Sequence, residues 1–94
     1  MTVYILRSES TQMFYVGASE ETAVRLLQHN EIVPNPSRWT RGRGPWRLVY
    51  TRRFDSKREA LQAERFIKRM KSRAFIEKLV SREYDLGEIL KKRA

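Results

Sequence analysis

The chain contains no cysteine, which removes disulfide cross-links, thiolate nucleophiles and cysteine-based zinc sites at once. It has one histidine, His29, so a zinc site built from paired imidazoles is excluded as well. No stretch approaches the roughly 20 apolar residues of a membrane-spanning helix, and the N-terminus opens on strand-like sequence instead of a basic segment and an apolar signal core. These absences point to a cytoplasmic setting. Internal repeats, low-complexity segments and a glycine-rich strand-to-helix turn of the dinucleotide-binding kind are also missing.

What is present is positive charge. Lysine and arginine number 20 against 11 acids, a formal charge of +9 on 94 residues. That length gives one domain, residues 1–94, with a single modest core and no room for a separate recognition domain. So large an excess, with aromatic residues among the basic ones, suits contact with both phosphates and bases and implies a nucleic-acid partner.

Residues 2–7 and 13–17 are rich in β-branched and aromatic side chains and are separated by Ser8-Glu9-Ser10-Thr11, which reads as a hairpin. A four-residue loop sets Tyr4 opposite Tyr15 on one face, whereas a five-residue loop sends the two rings to opposite faces. Ser19, followed by Glu20 and Glu21, predicts a helix start. That helix runs to His29 or Asn30, with Ala23, Leu26, Leu27 and Asn30 on one side and Arg25 and His29 on the other. Residues 31–45 form a loop, and residues 46–53 a third strand with Trp46, Leu48 and Tyr50 on its more apolar face. Ser56 and Glu59 make a capping box for a helix that reaches Met70 and buries Ala60, Ala63, Ile67 and Met70. Ser72 caps another helix with Phe75, Ile76, Leu79 and Val80, and a short C-terminal helix holds Leu86, Ile89 and Leu90. The expected fold is α/β (α+β): a small three-stranded, mainly antiparallel sheet flanked by helices, in the order strand, strand, helix, strand, helix, helix.

Glu64 is the most informative single residue, because 100° per residue turns it to the inward side of its helix between Ala60 and Ile67. A carboxylate there needs a partner, either a structural ion pair with a basic residue or a bound cation. Arg25 and His29, one helical turn apart, belong either to an ordinary polar face or to a phosphate site. With no second histidine, the metal that remains is magnesium, or manganese in its place, which needs only one or two carboxylates plus water and substrate phosphates. Tyr4 and Tyr15 fill a core by default. A phenol becomes a base at neutral pH only where cations such as Arg7, Arg25 and a metal ion stabilise its phenolate. The coincidence of these groups, more than any one of them, suggests metal-assisted phosphodiester cutting. In the loop before the third strand, Arg38, Arg41 and Arg43 are candidates for phosphates, with Arg7 on the first strand as a further nucleic-acid contact, and Trp39 with Thr40 for further substrate contact.

The chain resembles a GIY-YIG nuclease domain, the small stand-alone type similar to the domain of the UvrC repair nuclease and of intron-encoded endonucleases. Val3-Tyr4 and Tyr15-Val16-Gly17 match the two halves of the family signature, Arg25, Leu26, His29 and Asn30 follow at the family's spacing, and Glu64-Arg65 matches the helix carrying the family's acid. Thr40-Arg41-Gly42-Arg43-Gly44-Pro45 resembles the segment before the third strand. The resemblance implies that Tyr4 activates water, Tyr15 positions water or phosphate, Arg25 offsets phosphate charge, His29 assists proton transfer or holds phosphate, and Glu64 ligates magnesium. It also implies both tyrosines on one sheet face. Thr2 replaces the signature's first glycine, and Phe75 and Ile76 stand where some branches carry an asparagine.

The expectation is therefore a magnesium-dependent endonuclease acting on DNA, with RNA second, structure-selective or weakly specific, of the kind used in DNA repair. A non-catalytic nucleic-acid-binding module of the same fold is the alternative. A basic adaptor for an acidic protein explains the charge but not Glu64. The catalytic reading requires Tyr4, Tyr15, Arg25, His29 and Glu64 to converge on one cleft.

Overall fold

The computed structural model describes residues 1–34, 37 and 39–93. Strands β1 (Thr2–Ser8) and β2 (Phe14–Ser19) precede helix α1 (Thr22–His29), strand β3 (Trp46–Arg53) and helices α2 (Lys57–Met70), α3 (Arg73–Val80) and α4 (Leu86–Arg93). The sheet is antiparallel throughout, in the order β2-β1-β3. The mixed α/β fold expected from the sequence is the one observed. Among the described residues no helix is long and apolar enough to cross a membrane.

β1 is the central strand, and its run Val3-Tyr4-Ile5-Leu6 is buried because both faces of the sheet are covered. Val3 and Ile5 meet Ala60, Ala63, Phe66, Ile67, Phe75, Leu79 and Leu86 in the main core. Tyr4 and Leu6 face the other way, into a smaller cluster with Trp46, Tyr15, Leu26 and Leu48. Alternation along one strand thus separates a structural face from the face that carries the chemistry-bearing residues.

The hairpin takes a register that neither loop-length argument described. Tyr4 pairs with Gly17 and Tyr15 with Leu6, so the tyrosines share a face but sit diagonally, not opposite each other. The connection spans residues 9–13, and partner numbers that sum to an odd value keep 4 and 15 on one side.

Helix α1 also departs from expectation. β2 stays paired as far as Ser19, so the chain turns before the helix; Glu21 is the N-cap and Ser19 Oγ accepts from Glu21 N at 2.9 Å. The face bearing Arg25 and His29 turns inward, with His29 1% exposed, whereas Leu27 is 41% exposed. A polar inward face leaves the usual apolar moment pointing the wrong way.

In β3 the register shifts beside Ile5/Leu6, a bulge at Val49. Leu48 therefore faces the tyrosine side with Leu6, while Tyr50, paired with Ile5, joins the main core, which breaks the expected alternation of Trp46, Leu48 and Tyr50. Ser56 caps α2 by accepting from Glu59 N at 3.1 Å, and Ser72 caps α3 by accepting from Phe75 N at 3.1 Å, both as the sequence indicates. The buried stripe of α2 ends on Phe66 and Ile67; Met70, expected inside, is 44% exposed at the end of the helix.

Candidate active site

A cross-strand neighbour, Gly17, sets the Tyr4 ring. A Cβ at Gly17 would come within 2.5 Å of the Tyr4 hydroxyl oxygen and 2.6 Å of Cζ, so only a glycine lets the ring lie across β2. Gly17→Ala is expected to cost about 1–3 kcal/mol by overpacking, read as a lower denaturation midpoint, and to displace the Tyr4 hydroxyl.

That hydroxyl lies 3.1 Å from His29 Nε2, and His29 Nδ1 lies 2.8 Å from Thr40 Oγ1. The imidazole is thus clamped between a strand and a loop. The Tyr15 ring lies 4.7 Å from the His29 ring and 6.4 Å from the Tyr4 ring, and the Arg25 guanidinium lies close enough to both hydroxyls for its charge to act on them. Arg25 Nη1 also donates to Gln28 Oε1 at 2.7 Å, which steadies the guanidinium along α1.

Glu64 approaches the site from α2, the helix packed on the Val3/Ile5 side of the sheet. Its side chain is 18% exposed and its Oε1 accepts from Lys68 Nζ at 2.7 Å, while that ammonium lies 5.9 Å from the Tyr15 ring centroid. The negative charge of Glu64 is felt at Tyr4. Five side chains from β1, β2, α1 and α2 therefore share one electrostatic neighbourhood.

Burial pushes the Tyr4 phenol above its ordinary range, and the opposing influence of the nearby Arg25 guanidinium does not cancel that effect. Burial disfavours a charged Arg25, but the nearby Tyr4 and Tyr15 hydroxyls together outweigh this and move its pKa upward. His29 is lowered to about 4 by burial, with the Arg25 charge adding to the effect. The free site at neutral pH therefore holds a neutral imidazole against a neutral phenol.

The loop before β3 closes this face. Thr40 is fully buried, binds His29 and accepts from Trp46 Nε1 at 3.1 Å through its carbonyl. It is therefore a support for the imidazole, in place of the substrate contact expected of it. Asn30 Nδ2 donates to Trp46 O at 2.9 Å and Asn30 Oδ1 accepts from Trp46 N, which ties the end of α1 to the start of β3. Trp39 is 40% exposed, 5.7 Å from Tyr15 and 5.8 Å from Trp46, and Arg43 stacks over it at 5.3 Å. Arg41 is exposed, and Arg38 lies outside the described residues.

Arg7 does not join the group. Strand alternation puts it on the opposite face of β1 from Tyr4, where it stacks on Phe14 at 5.7 Å, so it lends no field to the phenol. Sequence reasoning missed Thr40 as the partner of His29, which no spacing signals across an intervening loop. It also passed over Lys68, although a lysine four residues beyond Glu64 is a visible helical ion-pair signal.

A hard cation here would find one protein carboxylate; among the described residues no group of three or more His, Cys, Asp or Glu could hold a metal. One half-buried carboxylate open to water and a substrate phosphate fits magnesium or manganese and does not fit a closed zinc site. Lys68, with a half-exposed side chain, must leave Glu64 for such an ion to bind.

The GIY-YIG catalytic domain family matches residues 1–78. A UPF0213 protein of Natronomonas pharaonis is 41% identical over 81 residues, covering 86% of this chain and 91% of its own length. The Structure-specific endonuclease subunit SLX1 of Meyerozyma guilliermondii is 38% identical over 74 residues, 74% of this chain and 25% of that protein. Among solved structures, the solution NMR structure of a UPF0213 protein from Bacillus halodurans is similar with TM-score 0.51 and 35% identity, covering 85% of this chain and 81% of that one. By the match over residues 1–78 this chain belongs to the GIY-YIG catalytic domain family.

Proposed function

We propose that the protein is a magnesium-dependent endonuclease that hydrolyses phosphodiester bonds in DNA, with RNA second, selecting structure over sequence. The observation that carries this reading is the cluster of Tyr4, His29 and Arg25, with Glu64 near enough on α2 for its charge to act on Tyr4. The formal charge of +9 favours a polyanionic substrate, and the name of the SLX1 relative favours nucleic-acid structure as the feature recognised.

Glu64 would hold the ion, which when bound supplies charge stabilisation to the phosphate and leaving oxygen. With a proton on Nδ1 shared with Thr40, His29 Nε2 is free to accept the Tyr4 hydroxyl proton as Tyr4 Oη accepts one from the attacking water. In the free protein this transfer is uphill, because burial and the Arg25 charge keep His29 neutral. A bound phosphodiester offsets the Arg25 charge and raises the proton affinity of the imidazole. Arg25 then stabilises the charge that grows on the phosphate, and Tyr15, packed 4.7 Å from the His29 ring, orders the nucleophile. Trp39, Arg41 and Arg43 hold the strand beside the site.

Incubation of the protein with supercoiled plasmid and with branched duplexes tests the reading. Nicking in magnesium, its loss in chelator and a preference for branched DNA are expected. Tight binding with no cutting in either magnesium or manganese would leave a binding module, with Glu64 serving only as the counter-ion of Lys68.

A further inference from the structure

A second feature lies beside Tyr15 and is not used by the chemistry above. β2 is an edge strand, and where its start meets the end of α2 and the first turn of α3 there is a cleft of about 580 Å³. Clefts of about 300–1,000 Å³ are the size that holds small organic ligands. One end is closed by Tyr15 and Trp39, whose rings lie 5.7 Å apart, so the cleft is continuous with the proposed site. Its wall is apolar, formed by Phe14, Ile67 and Ile76, with Met13 39% exposed at its mouth.

The charged lining is all of one sign. Lys68, Lys71 and Arg73 line the cleft, and its described lining includes no carboxylate. Arg73 is committed to the protein, stacked 4.8 Å over Phe14 and donating to Gln12 O at 2.7 Å, so it fixes the wall. Lys71 remains for an incoming anion, and Lys68, paired with Glu64 at 2.7 Å, can turn to one. A flat apolar surface beside two aromatic rings, with cations and no acid, matches one ligand class that is both planar and anionic, a nucleotide.

We propose that this cleft takes the base of one unpaired nucleotide next to the phosphodiester being cut, with its phosphate at Lys68 and Lys71. The position relative to the cut rests on the endonuclease reading; nucleotide binding itself does not. A base within a duplex would have to leave its stack to enter, so unpaired residues at junctions and strand ends are favoured. The ammonium that neutralises Glu64 in the free protein would move to a substrate phosphate, leaving the carboxylate for a cation.

Amide chemical shifts of the full chain, titrated with 2′-deoxyadenosine 5′-monophosphate and separately with inorganic phosphate, test this. Saturable shifts at residues 13–16 and 71–76 are expected, with the nucleotide binding about ten-fold or more tighter than phosphate. Met13→Glu, at an exposed position, and Lys71→Gly, which suits the positive φ of 47° there, should each weaken nucleotide binding several-fold without lowering the denaturation midpoint. Equal affinity for phosphate, shifts elsewhere or no shifts would overturn the proposal, as would nucleotide binding indifferent to both substitutions. Cutting without these shifts would remove the cleft and keep the nuclease. Shifts without cutting would keep the cleft and remove the nuclease.

Discussion

Glu64→Ala is expected to lower magnesium-dependent cutting by at least about 100-fold, while DNA binding measured by anisotropy in calcium or chelator stays within a few-fold of wild type. The large effect follows from Glu64 standing without a ligand cluster, since among the described residues no group of three or more His, Cys, Asp or Glu could hold the ion in its place. The small effect on binding follows from charge. Removing Glu64 frees Lys68 from its 2.7 Å ion pair, so the basic surface gains a cation where it loses an acid. The fold should tolerate the change, because the lost pair involves a half-exposed lysine and such pairs contribute little to stability. A variant that cut as well as wild type would remove Glu64 from the site.

His29 should give the protein a distinctive acid sensitivity. An imidazole with an unfolded pKa near 6.5 and a folded value of about 4 binds fewer protons folded than unfolded between those two values. Its contribution to stability is therefore fully present above about pH 6.5 and is lost progressively as pH falls toward 4, on the order of 3 kcal/mol in all. Carboxylates titrate in the lower part of that window, so the comparison to make is with His29→Gln. Glutamine can still bond to Thr40 and Tyr4 but carries no titrating group. Denaturant unfolding at a series of pH values should show wild type losing stability relative to His29→Gln on acidification. Parallel curves for the two proteins would mean that His29 titrates normally in the fold.

Local signals in the sequence specified local structure well. Ser56 and Ser72 cap their helices as read, because a cap needs only a side chain and a nearby amide. β3 begins and ends where its pattern does, but its faces were misread, since the bulge at Val49 depends on pairing with β1 and leaves no mark in the β3 sequence. α1 failed in the more instructive way. Its pattern put Ala23, Leu26, Leu27 and Asn30 on one side and Arg25 and His29 on the other, yet Leu26, Asn30 and His29 all meet the sheet side while Ala23 and Leu27 are exposed. A helix that serves a site can bury its polar side, because Tyr4, Thr40 and Gln28 satisfy the groups it brings in.

The site itself was legible as a set of residues and not as a set of contacts. Tyr4, Tyr15, Arg25, His29 and Glu64 were all candidates, and the structure gathers the first four together, with Glu64 approaching from α2. Thr40 lies eleven residues beyond His29, and only the folded loop brings its hydroxyl to the imidazole. Arg7 looked suitable because sequence proximity to Tyr4 was read as spatial proximity, although strand alternation separates them by the thickness of the sheet. Gly17 was recognisable as part of a signature, but its physical role needed the register that sets it opposite Tyr4.

The central claim is that the Tyr4 hydroxyl, held 3.1 Å from His29, takes part in phosphodiester hydrolysis. Single-turnover cutting of an end-labelled branched duplex in magnesium, with wild type beside Tyr4→Phe, tests it most directly. The account expects magnesium-dependent cutting by wild type, a loss of about 100-fold or more in the variant, and unchanged DNA affinity for both. Equal rates in the two proteins, or no cutting by wild type, would contradict it.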